Sequence, residues 1–216
     1  TGYTKNREGA TVDVGGGVSL KSLIADTARR GLAGLEKLYW IPGTVGGAVK
    51  MNAGSFGVSI SSSLVGLQVL RGDGRSDTIE GKDLSFGYRS SPLSSSDCVV
   101  GAVFSLQNGD RQSIEMEMDH VYQERRKRHP MDYPSAGSVF KGVNGEPAWK
   151  FIDAAGFRGF RLGNASVSEK HANFVINLGS AKAEDIRRLV DLVKKGVFEK
   201  TGVSLEEEVE FWGFDD

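Results

Sequence analysis

The stretch CVVGAVFSLQNGDRQSIEMEMDHVYQERRKR, residues 98–128, changes texture in its middle. Its first half is rich in β-branched and aromatic residues and ends on Asn108-Gly109-Asp110, the pattern of a buried strand with a polar stop. Its second half places Ile114, Met118, Val121 and Tyr122 at helical spacing, and His129-Pro130 closes the run. A long strand followed directly by a long helix predicts an α+β chain in two parts, residues 1–108 and 109–216.

Upstream, ATVDVGGG alternates before breaking on glycines, a strand running into a turn. SLKSLIADTARRG sets Leu20, Leu23, Ile24, Thr27 and Ala28 on one helical face and stops at Gly31. LVGLQVLRGDGRSDTIE reads as a hairpin turning at Gly72-Asp73-Gly74. Downstream come a short helix from Trp149 to Ala155 and the strand NFVINLG. A strong helix follows, with Ile186, Leu189, Val190, Val193 and Val197 on one face. SLEEEVEFWG is expected as a final strand, with Leu205, Glu207, Val209 and Phe211 on one side and Ser204, Glu206, Glu208, Glu210 and Trp212 on the other.

The 216 residues carry 27 Lys and Arg against 28 Asp and Glu, so no basic field points to nucleic acid. No apolar run approaches the roughly 18 residues of a membrane span. One cysteine, Cys98, excludes an intramolecular disulfide, fits a reducing compartment such as the cytoplasm, and is expected to be inert in its apolar strand. The three histidines show no metal spacing, so no catalytic metal is expected. The aromatic pairs Tyr39-Trp40 and Phe211-Trp212 read as core rather than as cofactor cages.

Leu35–Gly57 has no clean period and five glycines. Gly46-Gly47 removes two side chains in a row, so backbone N–H groups there can aim at a phosphate or a flat ring, with Asn52 and Ser55 as further donors. An anion- or cofactor-binding loop and an irregular connection remain equally open on these residues alone; the spacing matches neither the dinucleotide fingerprint nor the P-loop. Ser138, after Gly137, is on residue chemistry alone a turn serine.

Four motifs in order, IPGTVGGAVKMNAGSFG, FGYRSS, YPSAGSVFK and VSEKHANFVIN, with LEEEVEFWG at the end, resemble the UDP-N-acetylenolpyruvoylglucosamine reductase family in its shorter subtype. The resemblance covers nearly the whole chain. It implies the second half of a two-part FAD-binding domain followed by a mixed α/β substrate-binding domain. Family members carry a further N-terminal subdomain of about 80 residues, a usual size for part of a cofactor domain; the resemblance therefore implies a fragment.

The implied reaction is reduction of the enolpyruvyl ether of UDP-N-acetylglucosamine in peptidoglycan precursor synthesis, with non-covalent FAD as cofactor and NADPH as reductant. An alternative is a UDP-sugar-binding module without a working flavin site. A cytoplasmic monomer engaging neither nucleic acid nor membrane is expected. By position, Ser138 corresponds to the family's proton donor, Arg89 to the arginine that steadies a developing carboxylate charge, and Glu208 to its glutamate. Acidic neighbours and an indole are expected to raise the pKa of that glutamate.

Ile41, Pro42, Gly43, Thr44, Gly46, Gly47, Asn52, Ala53 and Gly54 correspond to the flavin loop. Tyr88, Arg128, Lys141, Arg158 and His171 correspond to substrate contacts. Arg125, Arg126 and Lys127 read as a solvated helix face. The chain departs from the family at Gly142, where an asparagine is usual, and at Glu207, where a proline is usual.

Overall fold

The computed structural model describes residues 1–214. β1 (Gly2–Lys5) and β2 (Gly9–Gly15) form a hairpin. α1 (Leu20–Arg29) follows, capped by the Ser19 hydroxyl, which accepts from the Ser22 N–H at 3.4 Å. Its face of Leu20, Leu23, Ile24, Thr27 and Ala28 is buried as the spacing predicts, and buried Thr27 donates its hydroxyl to the Ile24 carbonyl. β3 (Leu32–Ala33), a 3-10 turn at Glu36–Leu38 and α2 (Val45–Lys50) come next. β4 (Gly54–Ser55) pairs with β5 (Val58–Ser59). β6 (Leu64–Leu70) and β7 (Ser76–Glu80) make the expected hairpin around Gly72-Asp73-Gly74, and β8 (Cys98–Asn108) is the long strand.

These strands build an antiparallel sheet in the order β1-β2-β8-β6-β7, with β3 also against β8. Inward residues alternate along the strands: Ala10, Val12 and Val14, then Leu67 and Val69, then Ala102, Phe104 and Leu106. They pack with the buried face of α1 and with Val45 and Val49 of α2. Each fully buried leucine or phenylalanine contributes about 1.5–3 kcal/mol.

α3 (Arg111–Arg128) starts at Asp110, whose carboxylate accepts both the backbone N–H and the hydroxyl of Ser113 at 2.8 Å. The chain divides into compact units of residues 1–125 and 126–216. Most of α3 therefore belongs to the first unit. The reason is packing: Ile114 and Met118 are buried in the first core, so the change from strand to helix at Gly109 is not where the units part.

The second unit holds β9 (Ser135–Ser138), α4 (Ala148–Ala154), β10 (Arg161–Leu162), β11 (Ala165–Val167), β12 (Phe174–Asn177) and α5 (Ala183–Thr201). Its sheet runs β10-β11-β12-β9, all antiparallel. On α5, Leu189, Val190, Val193 and Val197 are buried, and Ile186 packs against them.

Three expectations fail here. Residues 204–213 do not form a strand; Glu207 alone bridges Phe140. The sorting into two sides survives as packing: Leu205 is buried, Val209 and Phe211 lie against the core, and Glu207 reaches Lys194 of α5 at 2.6 Å. Trp212 is 85% exposed rather than core. Cys98 opens its strand and is exposed, because the buried positions of β8 begin at Val99. No helix among the described residues is long and apolar enough to cross a membrane.

Candidate functional site

In the first unit a cleft of about 440 Å³ is lined by residues from two segments, 52–62 and 86–89. It takes in four of the expected site residues: Asn52, Gly54, Tyr88 and Arg89. Asn52 is buried in left-handed backbone (φ 42°), and its amide N–H₂ donates to the Gly87 carbonyl at 2.8 Å. That bond fixes the amide orientation and ties the two walls together. Asn52 Oδ1 is buried without a hydrogen-bond partner, a state that a folded protein rarely leaves unfilled.

Gly87 and Ser90 exchange backbone hydrogen bonds around a turn whose tip is Tyr88-Arg89. Arg89 has φ 51°, its guanidinium reaches the Gly54 carbonyl at 3.4 Å, and it lies 5.2 Å from the Tyr88 ring. Trp40, Asn52, Phe56 and Arg89 all occupy the left-handed region, which costs about 1–2 kcal/mol for each residue carrying a side chain. Such strain gathers where surrounding structure is built to hold a particular surface.

The glycine pair does not do what its sequence suggested. Residues 45–50 are helical, Val45 N–H donates to Val18, Gly46 N–H to Gly16, and Gly47 N–H to the Thr44 hydroxyl. These donors are satisfied inside the protein. Gly46 is needed for close approach instead: a Cβ there would stand 2.9 Å from the Val99 carbonyl oxygen and 3.1 Å from that of Gly16. Neither Gly46, Gly47 nor Ala53 lines the cleft, and nor do Ile41, Pro42, Gly43 or Thr44. Ile41 packs on the core and Ala53 is buried in it, while Pro42, Gly43, Thr44 and Gly47 are exposed.

Arg125 does not lie on the solvated face expected of it. It is half-buried, donating from Nε to the Tyr39 carbonyl at 3.0 Å and from Nη2 to Ser55 Oγ at 2.7 Å. Burial, and then the neighbouring Arg89 cation, push its guanidinium down from the usual arginine range. The signal was present in the spacing: Ile114, Met118 and Val121 are the buried stripe of α3, and 125 is the next position at that spacing. Trp40 stacks on Tyr122 of the same helix at 5.0 Å, with the Lys21 ammonium 3.2 Å from the Trp40 ring centroid.

In the second unit, Ser138 ends β9 opposite Phe174, after Gly137 in left-handed backbone (φ 88°). It is half-buried, and its hydroxyl has no hydrogen-bond partner among the described residues. Next to it the Glu208 N–H donates to the Val139 carbonyl at 2.7 Å, so Ser138 and Glu208 lie on adjoining segments. Asn173, 94% buried, locks this place: its side chain accepts from Phe140 N–H at 3.0 Å and donates to Phe140 C=O at 2.8 Å. The acidic neighbours of Glu208 are engaged elsewhere, Glu206 by Lys141, Glu207 by Lys194 and Glu210 by the Trp212 indole.

The remaining expected substrate residues also sit in this unit. Lys141 pairs with Glu206. Arg158 grips Asp153 with two nitrogens at 2.6 and 2.8 Å and donates a third bond to the Glu169 carbonyl at 2.6 Å, so it clamps a loop. His171 accepts the Asn173 N–H on Nδ1 at 3.2 Å, and its ring meets His129 and Phe174. Burial, then the Arg158 cation, hold its pKa below the usual imidazole value, and Nε2 is left as a donor. Arg128 is the last residue of α3.

Residues 129–212 match the family model described as UDP-N-acetylenolpyruvoylglucosamine reductase, C-terminal domain, and residues 3–79 match one described as FAD binding domain. UDP-N-acetylenolpyruvoylglucosamine reductase 2 of Symbiobacterium thermophilum is 44% identical over 207 residues, 95% of this chain and 67% of that protein. The reductase of Moorella thermoacetica is 40% identical over 95% of this chain and 68% of its own length. The solved reductase from Thermus caldophilus superposes with a TM-score of 0.82 at 37% identity, over 97% of this chain and 74% of that one. The chain thus spans about two thirds of the length of these two curated relatives. With both units matched in order and by solved structure, the chain belongs to the UDP-N-acetylenolpyruvoylglucosamine reductase family.

Proposed function

We propose that the chain carries out FAD-dependent reduction of UDP-N-acetylenolpyruvoylglucosamine to UDP-N-acetylmuramate, with NADPH as reductant, as a cytoplasmic monomer in peptidoglycan precursor synthesis. The residues present fit a flavin. The unpartnered Asn52 Oδ1 needs a donor that a ring N–H supplies, and the Gly54 and Gly57 wall leaves room for a flat group. Asn52, Gly54 and Ser55 would hold it. Bound FAD would carry reducing equivalents from NADPH to the terminal carbon of the enolpyruvyl group.

The chain's own residues then handle charge and proton. Reduction at the terminal carbon leaves negative charge on the neighbouring carbon and its carboxylate. The Arg89 guanidinium offers paired donors to such a carboxylate, and Ser138 supplies the proton to carbon. Glu208, on the adjoining segment, is assigned to the same step by its correspondence to the family's glutamate. The observation that supports this most is the half-buried Ser138 hydroxyl, which no described residue engages. A strongly basic carbanion takes a proton even from an ordinary hydroxyl held against it.

The test separates the half-reactions of the flavin-loaded protein. Ser138→Ala should leave flavin reduction by NADPH intact and block reoxidation by the enolpyruvyl sugar nucleotide. Equal loss of both would remove Ser138 from the chemistry, and flavin-loaded wild type without turnover would refute the activity.

A further inference from the structure

Arg125 can only donate hydrogen bonds, and it donates one to Ser55 Oγ. The hydroxyl of Ser55 must therefore point its own hydrogen elsewhere, and among the described residues no acceptor takes it. Ser55 lines the cleft, as does Asn52, three residues earlier in the same loop. Asn52 offers the complementary group, a buried acceptor with no donor, in an orientation fixed by its bond to Gly87. Arg125 itself is half-buried with no carboxylate partner among the described residues, and it is held by the Tyr39 carbonyl. Its two partners each precede a residue in left-handed backbone, Trp40 and Phe56. The conformations that place Tyr39 C=O and Ser55 Oγ around this guanidinium are thus specifically maintained.

We infer that Ser55 and Asn52 form a matched donor and acceptor for the imide edge of a ring, N–H beside C=O, and that Arg125 is the positioning residue that makes Ser55 the donor. The charge on Arg125 shortens and strengthens the bond it gives Ser55 and polarises the outgoing O–H, as happens along hydrogen-bond chains. This rests on the proposed function, which brings two such edges to the protein: the pyrimidine part of the isoalloxazine and the uracil of the sugar nucleotide. Both rings carry N3–H between two carbonyls, and a methyl group on N3 removes the donor without changing charge.

The experiment measures binding to the chain by quenching of intrinsic fluorescence, with FAD against 3-methyl-FAD in one arm and UDP against 3-methyl-UDP in the other. Wild type should prefer the unmethylated nucleotide by about tenfold or more, the size of one lost buried hydrogen bond. The arm that discriminates identifies the ring. Ser55→Ala and Arg125→Gln should each weaken that nucleotide several-fold, and the double variant should be no weaker than Ser55→Ala alone. Arg125→Lys, which keeps a charged group that can only donate, should recover part of the loss.

A merely structural role for Arg125 would instead weaken binding in the Ser55→Ala background too. Equal affinity for methylated and parent nucleotides in both arms, or additive losses in the double variant, would overturn the inference while leaving the functional proposal standing. Failure of wild type to bind either parent nucleotide would overturn both. Near-ultraviolet circular dichroism of each variant checks that the fold is kept, and the analogue comparison on wild type needs no variant.

Discussion

Asn173→Ala tests how the second unit holds Ser138. Asn173 and Phe140 are 94% and 97% buried, and the amide satisfies both backbone groups of Phe140. Alanine leaves a buried N–H and a buried C=O without partners, each worth about 1–3 kcal/mol. Partial hydration through the space vacated returns some of this, so the expected loss is about 2–4 kcal/mol, read as the urea midpoint times its slope.

Asn173→Asp adds a pH signature. The new carboxylate keeps an acceptor for Phe140 N–H but sets a negative oxygen against Phe140 C=O, so the folded state favours the protonated form, which donates. A carboxyl whose folded pKa lies above its unfolded value, about 3.9, stabilises fully below that value and loses its contribution as pH rises through the folded pKa. The gap between this variant and wild type should therefore narrow as pH falls from 7 toward 4. A loss below about 0.5 kcal/mol for Asn173→Ala would show that the 139–140 segment does not depend on this amide. A pH-independent gap for the aspartate would show that the Phe140 carbonyl is not its partner.

Gly46→Ala should destabilise by about 1–3 kcal/mol, because its Cβ meets two backbone oxygens that cannot move aside, whereas Gly47→Ala meets nothing closer than 3.6 Å and should raise helix stability by up to about 1 kcal/mol; opposite shifts in thermal midpoint check both. Asp26, hydrogen-bonded first by Tyr3 and then by Arg29 and Arg30, has its pKa lowered to about 2, so its contribution is present above the ordinary carboxylate range and is lost as pH falls from about 4 through 2. Tyr3→Phe should move the Asp26 titration, followed by carboxyl carbon NMR, back toward its ordinary value. The lowered pKa of His171 means that protonation favours unfolding, so this residue costs stability as pH falls below about 6.5. Arg158→Gln removes the secondary cause and should raise the His171 pKa in an imidazole NMR titration; an unchanged value would leave burial as the sole cause.

Elements whose residues supply their own period are readable from the sequence alone. α1, α5 and the β6–β7 hairpin follow from apolar spacing, a cap and a glycine turn, all local. α3 was readable too, but its partner was not. Nothing local says whether Ile114 and Met118 are buried with the strand before them or with the sheet after them. The C-terminal segment shows the converse. Its period of two is real and places Leu205 and Val209 inward, yet pairing reduces to one bridge at Glu207, because the edge it meets offers only the short 139–141 run.

The site is legible to a different depth. The motifs name the candidate residues, while the folded chain brings Asn52 and Arg89 to one cleft and sets Glu208 on the segment beside Ser138. Which atoms remain to act does not follow from the motifs, because that is a difference between what each residue can bond and what the fold already uses. The Gly46 and Gly47 N–H groups look available in sequence and are taken by Gly16 and Thr44. Asn52 looks like a donor and is left as an acceptor, since Gly87 takes its N–H₂. Arg125 looks solvated and instead decides the direction of the Ser55 hydroxyl. Each reversal has one physical origin: a buried polar group must be satisfied within the fold first, and only the remainder faces a ligand.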